Sequence, residues 1–75
     1  MTVLECVRAF LCERVGCDED DVCLAATFDE LNVADFEREA LALWLEEHYE
    51  IEISDDQLQS FDTVEDLVGY VEDRF

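Results

Sequence analysis

Residues 32–53 read NVADFEREALALWLEEHYEIEI, and their middle decides the fold. From Asp35 to about Glu50 the spacing predicts a helix, and its run Ala40-Leu41-Ala42-Leu43-Trp44-Leu45 is apolar on every side for nearly two turns. A helix of that kind must be contacted on several sides. It is either the central member of a bundle or a helix that reserves one face for a partner. Trp44 accordingly fills the core or anchors a partner, and Leu43 carries the same two readings. Ile51-Glu52-Ile53 is too short for an independent strand.

Working outward, residues 2–16 (TVLECVRAFLCERVG) place Val3, Val7, Phe10 and Leu11 on one helical stripe. Thr2 and Glu5 have capping-box spacing, and Gly16 stands where a left-handed terminal residue is favoured. Residues 17–34 lack sustained periodicity and predict a long loop pinned by Val22, Leu24 and Phe28. Beyond the central helix, Ser54 with Gln57 and Asp62 with Glu65 repeat the capping spacing for a short third helix and a last one. Val64, Leu67, Val68, Val71 and Phe75 form the last helix's stripe. Phe10, Phe28, Leu41, Leu45, Val64, Leu67 and Val68 are expected to meet in one core. No proline or internal repeat interrupts the series, so residues 1–75 predict a single all-α domain of four helices, the third short.

Twenty-two acidic residues face four arginines and no lysine, for a formal net charge of −18. Such a body repels nucleic-acid phosphates and anionic lipid. It attracts basic protein surfaces and, as non-specific counterions, divalent cations. The same charge is the one feature that fits an acidic mimic of nucleic acid, and its plainest use is solubility. No 18-residue apolar run, signal segment or lipidation motif occurs, and a cytoplasmic location is expected. Asp18-Glu19-Asp20-Asp21 lacks the alternation and glycine of a calcium loop. Cys6, Cys12, Cys17 and Cys23 have no C-x₂-C pair, and the single histidine, His48, lies far along the chain. They read as small hydrophobes, with a Cys12–Cys17 or Cys17–Cys23 disulfide left open under oxidation. Nothing pairs a nucleophile with a base or cradles phosphate, so no catalysis and no metal site are expected.

Four segments in order resemble the acyl carrier protein family. Leu45-Glu46-Glu47-His48-Tyr49, followed by Ile51 and Ile53, is similar to the family's L-E-E-x-aromatic segment and the alternating apolar residues after it. Thr63-Val64, Leu67 and Gly69-Tyr70-Val71 resemble its last helix. The first helix fits the family spacing, and Phe28-Asp29-Glu30-Leu31 resembles the F-x-x-D-L stretch that leads into a modified serine. The resemblance spans essentially the whole chain and implies a four-helix carrier fold. In the family, a serine at the start of the central helix carries a phosphopantetheine arm.

Counting back from Tyr49, that serine falls on Asp35 and the leucine after it on Phe36. Counting forward from Phe28, Phe36 takes the serine's place. Neither count finds a hydroxyl, so no cofactor is expected unless another residue carries the arm. Asp35 is expected to cap the helix or to imitate a phosphate weakly. What the resemblance leaves is a docking surface of Asp35, Phe36, Glu37, Glu39, Leu43, Glu46 and Glu47. It would meet a basic patch on an acyl-transfer or synthase-type enzyme, as in fatty acid or polyketide biosynthesis.

Overall fold

The computed structural model describes residues 2–74. Its helices are α1 (Val3–Arg14), α2 (Asp35–Tyr49), α3 (Asp55–Ser60) and α4 (Val64–Arg74), with a short 3-10 turn at Glu19–Asp21. α1 and α3 start where a nearby side chain supplies an acceptor for a free N–H group. Thr2 and Glu5 close a reciprocal capping box on α1, and the Ser54 side chain accepts from Gln57 N–H on α3. At the far end of α1, Gly16 has φ +83° and donates its N–H to the Leu11 carbonyl. That conformation suits a residue without a Cβ.

The start of α4 departs from expectation by one residue. The capping pair is Thr63 with Asp66, not Asp62 with Glu65: Thr63 Oγ1 accepts from Asp66 N–H, and Asp66 Oδ2 accepts from the N–H groups of Asp62 and Thr63. The reason is tertiary. Thr63 pairs antiparallel with Thr27, and Phe28 N–H donates to the Asp62 carbonyl. Residues 62 and 63 are thereby held out of the helix, which begins at Val64. The loop also supplies acceptors for the first turn, as Val64 N–H donates to the Ala26 carbonyl and Glu65 N–H to that of Leu24.

α1 packs against both α2 and α4, and α3 lies against α2. Between them, Val3, Val7, Leu11, Leu41, Leu45, Val64, Leu67 and Val71 are buried to 2% exposure or less. Phe28 and Val68 belong to the same core, whereas Phe10 sits half-buried at its rim. Val22 and Phe28 pin the long loop as expected, but Leu24 does not and is exposed. The turn closed by Ala26 N–H on the Cys23 carbonyl swings Leu24 outward, and Ala26, Leu31 and Val33 are buried in its stead. Among the described residues there is no strand, only the isolated bridge. Phe75, expected on the stripe of α4, lies outside them.

Candidate functional site

The first turn of α2 is built by backbone alone. Ala34 is its N-cap, and the Ala34 carbonyl accepts from both Glu37 N–H and Arg38 N–H at 3.0 Å. Asp35 is therefore the first residue inside the helix, not its cap. Its exposed carboxylate has no hydrogen-bond partner among the described residues. The expected capping role fails because the helix begins at Asp35, one residue beyond the position from which a side chain folds back onto the N–H groups. The carboxylate still sits at the positive end of the helix dipole.

At 3.6 residues per turn α2 divides into two faces. Arg38, Leu41, Ala42 and Leu45 form the inner stripe, the last three of them buried. Opposite lie Phe36, 67% exposed, and Leu43, 60% exposed, seven residues apart on one line. Glu39 and Glu47 are exposed beside them and Glu46 is half-buried. Glu39, Leu43 and Glu46 also border a groove of about 230 Å³, whose other wall is Ile53, Asp55 and Leu58. The structure thus brings Asp35, Phe36, Glu39, Leu43, Glu46 and Glu47 to the outer side of one helix.

Glu37 points elsewhere. Its carboxylate takes both Nε and Nη2 of Arg14, at 3.2 and 3.3 Å, and its side chain is only 13% exposed. The pairing raises the Arg14 pKa through that hydrogen bond and the Glu37 charge. It ties the end of α1 to the start of α2. Trp44 lies on the same seam: its ring centroid is 5.7 Å from that of Phe10, and it stacks on His48 at 5.0 Å. Half-buried against the core, Trp44 joins α1 to α2 on a different side from Leu43.

Arg38 was not singled out by the sequence reading. Its Nη2 donates to the carbonyls of Leu58 and Phe61 at 3.0 and 2.7 Å, and its guanidinium lies 5.0 Å from the Phe28 ring centroid. Its Nε is buried without a partner. Arg38 thereby fixes the end of α3 and the following turn onto the central helix. The signal was present: it is the one arginine of this helix, three, four and seven residues before Leu41, Ala42 and Leu45.

Residues 33–36, Val-Ala-Asp-Phe, carry no hydroxyl. The chain's Ser and Thr oxygens are engaged in local bonds elsewhere: Thr2 at α1, Thr27 with Glu30, Ser54 and Ser60 with Gln57, and Thr63 with Asp66. The Tyr49 hydroxyl meets the Cys6 sulfur at 3.4 Å, and that of Tyr70 donates to the Glu52 carbonyl. Burial, with the Cys6 contact second, pushes the Tyr49 phenol up to about 12. Among the described residues no three Cys, His, Asp or Glu side chains converge on a metal-sized site, and no helix is long and apolar enough to cross a membrane.

The family model described as a phosphopantetheine attachment site matches residues 5–71. The chain belongs to that family of carrier domains, whose members are not themselves catalytic and work by meeting partner enzymes.

Proposed function

From that membership we propose that this chain is a carrier-fold docking module that does not take the phosphopantetheine arm. It serves as an acidic docking or regulatory piece for an acyl-transfer or synthase-type enzyme. The single observation that carries the reading is the start of α2. A phosphodiester link needs a hydroxyl oxygen there, and Asp35 and Phe36 supply none. The group does not fit the residues present.

The outer face of α2 supports the docking half. Phe36 and Leu43 offer exposed apolar anchors inside a border of Asp35, Glu39, Glu46 and Glu47, a pattern suited to an apolar pocket ringed by basic side chains. Asp35, uncommitted to the helix it begins, contributes negative charge where carriers of the family bear a phosphodiester. Glu37 contributes indirectly, by holding α2 against Arg14 of α1.

Incubation with coenzyme A and a broad-specificity phosphopantetheinyl transferase should leave the intact mass unchanged. A stoichiometric increase at any residue would instead identify a working carrier with an unusual attachment point. For the docking half, replacing Glu39, Glu46 and Glu47 with glutamine should slow association with a partner enzyme, and added salt should erase the difference. Association indifferent to both would overturn the electrostatic reading and leave Phe36 and Leu43 as the sole anchors.

A further inference from the structure

Two residues that the fold itself does not call for meet at one place. Leu24 is an apolar side chain left 39% exposed, turned outward by the bond from Ala26 N–H to the Cys23 carbonyl. Its own carbonyl accepts from Glu65 N–H at 3.0 Å, which seats it beside the first turn of α4. Gly69 stands inside α4, where glycine weakens a helix relative to alanine. Neither backbone nor packing requires it: its φ is not left-handed, and a Cβ built there would meet no atom within 4 Å.

Both residues line a cleft of about 370 Å³ between the start of α1 and α4, with Leu4 and Val68 as its other apolar members. Glu65 and Glu72 border the same cleft and are exposed. Glu65, Gly69 and Glu72 follow one another at i, i+4 and i+7, so they share one face of α4. At 1.5 Å of rise per residue the two glutamates are about 10 Å apart along the helix axis, one on each side of the glycine. Among the described residues no arginine pairs with either carboxylate.

We propose that this cleft docks a helical segment of a partner protein, one that carries a large apolar side chain flanked about one turn away on each side by lysine or arginine. The carboxylates set the sign of what binds, and the side chain missing at position 69 sets its shape. Basic groups that reach Glu65 and Glu72 must be spaced about 10 Å apart, with an apolar group between them over Gly69. A helix laid alongside α4 repeats that spacing, because residues three or four positions to each side of a central one fall on its contacting face. The central side chain then enters the space above Gly69 and meets Leu4, Leu24 and Val68. A second copy of this chain is opposed as occupant by its net charge of −18. Binding here is independent of the outer face of α2, with which the cleft shares no residue.

The probe is a fluorescein-labelled, alanine-based peptide of about fifteen residues, long enough to be helical when bound, with one central leucine and lysines three and four residues to either side. The full chain is titrated with it at low salt, and amide shifts in NMR spectra of the isotope-labelled chain locate the contact. Shifts are expected around Leu4, Leu24 and Gly69. Gly69→Leu, which fills the space, should weaken binding at least about tenfold, and so should alanine in place of the peptide's leucine. The melting temperature of Gly69→Leu should hold or rise, since leucine is the better helix former, so that lost binding is not lost fold. Replacing Glu65 and Glu72 with glutamine should weaken binding several-fold at low salt and leave it unchanged at high salt. Shifts centred on Phe36 and Leu43, an affinity indifferent to Gly69→Leu or to the peptide's leucine, or no binding at millimolar peptide would overturn the proposal.

Discussion

Replacing Arg38 with methionine tests whether the guanidinium beneath the central helix holds the fold together. Arg38 donates to the carbonyls of Leu58 and Phe61 and lies over the Phe28 ring. Hydrogen bonds from a charged donor contribute about 1.5–3 kcal/mol each, and the ring contact about 0.5–1 kcal/mol more. Against this, methionine keeps most of the apolar stem and removes the buried, unpartnered Nε, which returns part of the cost of desolvating a cation. The net loss should be about 2–4 kcal/mol. At about 0.05–0.15 kcal/mol per residue, a chain of this length has roughly 4–11 kcal/mol in total, so the variant should lie near the edge of folding. Urea titration followed through Trp44, the only tryptophan, measures it directly. Arg38→Lys, able to bring one ammonium to the same carbonyls, should recover part of the loss. A change below about 1 kcal/mol for Arg38→Met would refute the reasoning, since such a value is expected of a solvated surface arginine.

Truncating Leu45, fully buried in the core, to alanine should cost about 2–5 kcal/mol in the same titration; a loss below about 1 kcal/mol would mean that the inner face of α2 has been misassigned. Sodium chloride, or millimolar Mg²⁺, should raise the melting temperature by screening or neutralising like charge, and exchanging Asp18, Asp20 and Asp21 for asparagine should do so without salt. Asp66 makes a pH prediction. Its carboxylate accepts from Asp62 N–H and, next, from Thr63 N–H, and these bonds lower its pKa. A carboxyl depressed in the folded state stabilises at pH above the ordinary aspartate value of about 4 and ceases to do so as pH falls through its folded value. The gap in melting temperature between wild type and Asp66→Ala should therefore be widest near neutrality and narrow in acid; a gap that widens in acid would contradict the bond pattern.

Much of this architecture could be read from local chemistry. Thr2 with Glu5, Ser54 with Gln57 and the left-handed Gly16 mark helix ends through contacts within a few residues, and such contacts are written in the sequence itself. The failures arise where distant segments intervene. Asp62–Glu65 and Thr63–Asp66 have identical spacing, and only the pairing of Thr27 with Thr63 selects the second. Leu24 is apolar and lies in the right region, but a turn fixed by the Cys23 carbonyl points it outward. At the candidate site, the outward line of Phe36 and Leu43 follows from helical period, whereas the capture of Glu37 by Arg14 needs α1 to be laid alongside. Arg38 was legible in position and not in purpose, because its acceptors are carbonyls twenty or more residues away.

Each of the four arginines has an assignment inside the molecule: Arg8 on the Val22 carbonyl, Arg14 on Glu37, Arg38 on the end of α3, and Arg74 over the Tyr70 ring. Arg14–Glu37 is the only ion pair among the described residues, and four arginines against 22 acidic residues leave the chain a formal net charge of −18 to present to another copy of itself. Two bodies of that net charge repel each other on average, so a concentrated solution should show a large positive osmotic second virial coefficient that collapses as salt is added. Crowding many copies around one partner enzyme would then space them apart, and on the proposed docking reading a basic patch would be visited by one molecule at a time.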